Sequence, residues 1–127
     1  MIFDASSIYI SLKRKSIEPL KNSSTLDLAF YEIGNALLKE FRRGLIDEAS
    51  LVTMIGVLDG LSDLMTVMNF QKLGSERISR LCRESKLTFY DAAYLSCALS
   101  TNQSLTTDDL ALREEAKKRK IIVHSIL

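Results

Sequence analysis

Histidine and proline each occur once, at His124 and Pro19, and cysteine only twice, at Cys82 and Cys97. A lone histidine in a late apolar run gives no support to a Ser-His or Cys-His nucleophilic pair. The cysteines lie in helical patterns without metal-ligand spacing, so two reduced core thiols are expected rather than a zinc site or a disulfide framework. Glycine is sparse as well, and no Gly-rich loop is present to carry a nucleotide phosphate. No apolar run approaches the ~18 residues needed to cross a bilayer, so no membrane partner is expected. The opening residues show neither the basic region nor the long apolar core of a secretory signal, and a cytoplasmic protein is the expectation. Net charge is only +1, so any nucleic-acid contact must rest on a local patch rather than on the field of the whole molecule.

What is present has an ordinary globular balance. With 127 residues, 46% apolar and 26% charged, the chain suits one domain over residues 1–127 whose core needs no staples. Repeats, low-complexity stretches and linkers are absent. Short apolar runs alternate with amphipathic segments. "MIF", "STLDL", "MTVMNF", "SLTT" and "IIVHSI" read as five strands. "SSIYISLKRK", "FYEIGNALLKEFRR", "DEASLVTMIGVLDGL", "SERISRLCRES", "TFYDAAYLSCALS" and "DLALREEAKKRK" read as helices, with Gly44 placed to stop the second. In the third, Leu51, Met54, Ile55, Leu58 and Leu61 recur at helical spacing and predict a core stripe. Strands separated by helices predict a three-layer α/β domain around a mainly parallel sheet of about five strands.

Such a sheet gathers its chemistry outside the carboxyl ends of the strands. Four acids fall there. Asp4 closes the first strand, Glu32 lies early in the following helix, Asp91 opens the helix of "LTFYDAAYLSCA", and Asp108 follows the fourth strand. Each also has a structural role open to it. Thr88 and Asp91 fit a capping box, Asp108 or Asp109 an N-cap, Glu32 a first-turn acid, and Asp4 a turn. The roles are compatible, because a helix N-terminus keeps a carboxylate ionised as a metal ligand requires. Two carboxylates ~4 Å apart repel by about 4 kcal/mol at an effective dielectric of ~20. A hard divalent cation removes that repulsion, and oxygen ligands without histidine or cysteine favour Mg²⁺ or Mn²⁺.

In order and spacing, "MIFDASS", "FYEIGNALLK", "LTFYDAAYLSCAL" and "LTTDD" resemble the PIN-domain ribonucleases. Length and layout are most similar to the VapC-type toxins of VapBC toxin–antitoxin systems. The likeness spans essentially the whole chain and rests on the ordered set rather than on any one motif. It implies a PIN-like fold and a Mg²⁺- or Mn²⁺-dependent endoribonuclease acting on RNA. Asp4, Glu32, Asp91 and Asp108 match the family's acidic positions, with the metal on Asp4, Asp91 and Asp108. Ser6 and Thr106 match its small hydroxyl residues. "TTDD" offers two adjacent acids, and Asp108 is favoured because it completes Thr106-x-Asp, with Asp109 as the alternative. The resemblance further implies a homodimer and a small antitoxin that covers the acidic site.

Competing readings are a PIN nuclease of RNA maturation or quality control and, more remotely, a non-catalytic receiver-like or scaffold domain that binds Mg²⁺. A receiver would carry adjacent acids at the first strand and an Asp ending the third, and "MTVMNF" has none. A haloacid-dehalogenase phosphatase would require Asp-x-Asp where "DAS" stands. The basic clusters "LKRK", "FRR" and "KKRK" sit at helix ends and read first as solvated, dipole-compensating charge.

Overall fold

Five very short strands, the central three of them buried throughout, form one parallel sheet in the computed structural model, which describes residues 1–127. They are β1 (Ile2–Phe3), β2 (Ser24–Leu26), β3 (Thr66–Met68), β4 (Leu105–Thr106) and β5 (Val123–His124), in the spatial order β3-β2-β1-β4-β5. Every neighbouring pair is parallel, with Ile2 opposite both Ser24 and Leu105, and Phe3 opposite Thr106. The helices are α1 (Ala5–Lys13), α2 (Asp27–Arg42), α3 (Glu48–Leu64), α4 (Phe70–Leu73), α5 (Ser75–Glu84), α6 (Phe89–Thr101) and α7 (Leu110–Lys118). The expected α/β architecture is therefore present, with all five strands parallel.

The order of the strands decides where a site can form. From β1 the chain moves outward through β2 to β3, then crosses back to β4 on the other side of β1. That reversal opens a crevice beyond the carboxyl ends of β1 and β4. Right-handed crossovers place α1 to α3 on one face and α4 to α7 on the other. Consistently, α1 packs on α2 and α2 on α3, while α6 packs on α4, α5 and α7.

Helix α6 is the centre of its layer. Seven consecutive residues, Ala92 to Ala98, are buried, because the helix is covered by β1, β2 and β4 below and by its neighbouring helices around it. A helix apolar on all sides is stable only when so enclosed. Each fully buried residue of leucine size contributes about 1.5–3 kcal/mol, so Leu95 anchors the layer. Asp91 belongs to the first turn, where α6 emerges from this enclosure and its carboxylate is only half-buried.

Several elements differ from expectation. Helix α2 begins at Asp27 rather than Phe30, so Asp27, not Glu32, is its first-turn acid. The third strand ends at Met68, where Asn69 Oδ1 accepts from the Lys72 N–H at 2.9 Å and starts the single turn α4. A 3-10 turn, Glu18–Leu20, carries Pro19. Of the stripe predicted in α3, Leu58 and Leu61 are buried, Leu51 and Met54 half-buried, and Ile55 exposed, because α3 packs mainly on α2 and β3 at the rim of the molecule. Gly44 follows the Arg43 cap with φ +75°, the conformation that ends α2. Both cysteines are free, and no helix is long and apolar enough to cross a membrane.

Candidate active site

Asp4 follows directly on the buried Ile2–Phe3 pair and lies in the crevice between the ends of β1 and β4. It is 7% exposed, so its charge must be compensated locally. The Ser7 N–H donates to Asp4 Oδ1 at 2.9 Å, making Asp4 the N-cap of α1. The Thr107 hydroxyl donates to Asp4 Oδ2 at 2.5 Å. The Ser7 hydroxyl donates to the Thr106 carbonyl at 3.2 Å, stitching the two strand exits together. Both oxygens of Asp4 thus have a donor, and the positive end of α1 lies against the carboxylate.

The segment after β4 separates the two adjacent acids. Thr107 Oγ1 accepts from the Asp109 N–H at 3.1 Å, and Asp109 Oδ1 accepts from the Leu112 N–H at 2.9 Å, so Asp109 caps α7 on the same Thr107 that holds Asp4. Asp108 is turned to the chain end instead, where its carboxylate accepts from the Ser125 hydroxyl and from the Ile126 N–H. The geometry therefore brings Asp109, rather than the favoured Asp108, to Asp4. The reason is register. Strand β4 stops at Thr106, whose side chain is buried and unpartnered, and Thr107 makes the turn into the crevice.

Asp91 and Glu32 complete the cluster from α6 and α2. Thr88 Oγ1 accepts from the Asp91 N–H at 3.1 Å, as the predicted cap required. Burial raises the Asp91 carboxyl above its ordinary range, and the charges of Asp109 and then Asp4 raise it further. Glu32 is raised first by desolvation, then by Asp91 and Asp4, while a hydrogen bond donated by the Tyr94 hydroxyl at 3.1 Å pulls the other way. Burial, followed by the Glu32 charge, pushes the Tyr94 phenol up. No lysine or arginine figures among the groups acting on either carboxyl. Asp4, Glu32, Asp91 and Asp109 thus form one electrostatic unit of like charge.

Ser6 is exposed and lines a shallow cavity of about 260 Å³ shared with Tyr9 and Glu32, while its neighbour Ser7 binds Asp4. Three contributors escaped the sequence reading. Thr107 was signalled by the second, overlapping Thr-x-Asp in "TTDD", and Tyr94 by lying three residues after Asp91 on the same helical face. Ser7 had the capping position three residues after Asp4.

In type and charge these oxygen donors suit a hard divalent cation. No three acidic, histidine or cysteine side chains are spaced to grip an ion in this arrangement, so binding one asks the side chains to draw inward.

No family model matches the sequence. Ribonuclease VapC3 of Pyrobaculum aerophilum is 30% identical over 123 residues, covering 91% of this chain and 93% of that protein. Exonuclease VapC9 of the same organism is 31% identical over 118 residues, covering 91% and 85%. Among solved structures, PAE2754 from Pyrobaculum aerophilum superposes with a TM-score of 0.78 at 30% identity, covering 98% of this chain and 89% of that one. A chain of a toxin–antitoxin complex from Klebsiella pneumoniae shares the fold, with a TM-score of 0.59 at 18% identity and 85% of each chain covered.

Proposed function

This chain belongs to the VapC family of PIN-domain proteins, and on that premise we propose that it is a Mg²⁺- or Mn²⁺-dependent endoribonuclease, the toxin of a toxin–antitoxin pair acting on cytoplasmic RNA. The observation that carries the reading is the set of four carboxylates at the reversal of the sheet, none of them in an ion pair, with Glu32 and Asp91 raised by burial and by their acidic neighbours. A structural cluster of this kind would be expected to hold a lysine or arginine.

Asp4, Asp91 and Asp109 would hold the metal, with Asp108 left to anchor the chain end. Bound there, a divalent ion supplies charge to the phosphoryl oxygens and lowers the pKa of an attacking water. The chain's own residues do the positioning. Ser7 and Thr107 fix Asp4 in place, and the Tyr94 hydroxyl holds the Glu32 carboxylate, which would be a further ligand or would orient the attacking water. An antitoxin partner and a homodimer belong to the same reading, the former supported by the kinship with VapC proteins and by the fold shared with a toxin–antitoxin complex.

Incubation with total cellular RNA, with Mg²⁺, Mn²⁺ or EDTA, followed by mapping of the new ends, tests the proposal. Internal cuts that need the metal are expected. RNA left intact under all conditions, or cut equally in EDTA, overturns it. A second reading, removal of nucleotides from RNA ends, is favoured by the name of Exonuclease VapC9. A circular RNA separates the two, since only an endonuclease opens it.

A further inference from the structure

Arg113 closes the first turn of α7 and takes part in no ion pair. Its guanidinium donates instead, through Nη1, to two backbone carbonyls, that of Thr107 at 2.7 Å and that of His124 at 3.0 Å. We infer that Arg113 is a positioning residue of the acid site, acting on Asp4 and Asp109 through Thr107, a role whose catalytic consequence rests on the nuclease reading.

The need for such a residue arises where the sheet ends. Strand β4 pairs with β5 as far as Thr106 opposite His124. One step further, the Thr107 N–H still donates to the His124 carbonyl at 3.1 Å. The next rung of a parallel ladder would set the Ile126 N–H on the Thr107 carbonyl. That N–H goes to Asp108 Oδ2 instead, at 3.2 Å. Thr107 is fully buried, and no backbone donor reaches its carbonyl. A buried carbonyl without a donor is costly. Arg113 supplies the missing bond, and the two N–H groups of one nitrogen tie the ends of both strands together.

Every polar group of Thr107 is then engaged. Its N–H bonds β5 and its carbonyl bonds Arg113, while its hydroxyl donates to Asp4 Oδ2 at 2.5 Å and accepts from the Asp109 N–H at 3.1 Å. A threonine side chain has a single stiff torsion before its hydroxyl, so holding the Thr107 backbone fixes where that hydroxyl points. Helical side chains lean toward the N-terminus, which carries Arg113 back over the turn that Asp109 caps. The same geometry leaves the acids unneutralised. Arginine readily grips a carboxylate, yet here its charge is turned to neutral carbonyls rather than to Asp4 or Asp109. The site gains order without an internal counter-ion that would compete with one from outside.

The test uses Arg113→Met, which keeps the apolar stem without a donor, and Arg113→Lys, which keeps a charged donor. Arg119→Met is the control, since that side chain bonds only Glu84 and Glu115. Amide hydrogen exchange by NMR on the metal-free protein reads the turn without any cleavage. The Asp109 amide should exchange roughly ten-fold faster or more in Arg113→Met than in wild type or Arg119→Met, with the Leu95 amide inside α6 unchanged. Arg113→Lys should lie between. In steady-state RNA cleavage, Arg113→Met should lower kcat roughly ten-fold with KM little changed. In a Thr107→Val background the same change should alter kcat by less than about two-fold, because the hydroxyl it acts through is gone. Asp109 exchange equal in Arg113→Met and wild type, or equally fast in Arg119→Met, overturns the proposal. So does an undiminished loss of kcat in the Thr107→Val background. Should Arg113→Met fail to fold, Arg113→Lys against wild type decides on the same amide. Were wild type to cleave no RNA, the nuclease reading would fall alone, and the Asp109 amide would still decide whether Arg113 holds this turn.

Discussion

Glu32 and Glu40 lie on one helix, eight residues and so about 12 Å apart along its axis, and they live in opposite environments. Glu40, in the last turns of α2, accepts a hydrogen bond from the Lys13 ammonium at 2.7 Å, and that bond together with Tyr9 holds its carboxyl below the usual range. Burial, then the hydrogen bond to Glu40 and that group's charge, push the Tyr9 phenol up to about 12. Glu32, in the second turn, meets a phenol and other carboxylates and is raised. Helix α7 repeats the pattern. Near its C-terminal end Glu115 is held low by Arg119 at 2.5 Å and Lys118 at 3.1 Å, while Asp109 at its start joins the acid cluster. Glu40 and Glu115, toward the amino edge of the sheet, are neutralised within the chain, whereas Asp4, Glu32, Asp91 and Asp109 at the carboxyl edge make no ion pair in it. Where a fold pairs its surface acids in one region and leaves them to repel in another, the unpaired region is the place to look for chemistry.

The sharpest way to break this contrast is Asp91→Asn. It should lower RNA cleavage by at least about 100-fold. Thermal stability should be unchanged or higher, because a neutral amide relieves a group whose charged form is opposed by burial, Asp109 and Asp4. Cleavage assays paired with thermal unfolding check both halves. A variant that is fully active would dissolve the distinction between the two edges.

A smaller but more specific effect is expected from the neighbours Asp108 and Asp109. Asn is as good an N-cap as Asp, so Asp109→Asn should fold normally yet lose roughly ten-fold or more in kcat. Asp108→Asn should cleave as wild type, and loosening of Ser125 and Ile126 should cost only about 0.5–1.5 kcal/mol in denaturant unfolding. The reverse outcome would restore the assignment favoured by the Thr106-x-Asp pattern.

The smallest effect belongs to the paired edge. Glu40 and Glu115 have depressed carboxyls, so their contribution is fully present above the ordinary glutamate value of about 4.3 and is lost as pH falls through the depressed values. Both pairs are partly exposed, and each should supply no more than about 1 kcal/mol. Unfolding of wild type and Glu115→Gln across this acidic range should show the loss in wild type and a shallower one in the variant.

Much of the architecture was legible because short apolar runs are followed by capping residues that start helices, as with Asp4 before α1 and Asp109 before α7. One-turn elements were not. Phe70–Leu73 and Glu18–Leu20 are too short to express a helical period, so they read as strand end and connector. Site legibility stopped at single-residue register. Asp4, Glu32 and Asp91 could be placed from the strand and helix starts alone. Choosing Asp109 over Asp108, or Thr107 over Thr106, depends on the strand ending at Thr106, and in "LTTDD" either Thr-x-Asp fits. Tyr94 looked like core because it is core, 2% exposed, with only its hydroxyl reaching Glu32.

Binding of Mn²⁺, followed by electron paramagnetic resonance and calorimetry on wild type and Asp91→Asn, goes straight to whether the carboxyl edge awaits a cation. The account predicts binding of Mn²⁺ by wild type that Asp91→Asn abolishes and that Glu115→Gln, at the paired edge, leaves intact. Wild type that takes up no Mn²⁺, or an Asp91→Asn protein that binds it equally well, would contradict it.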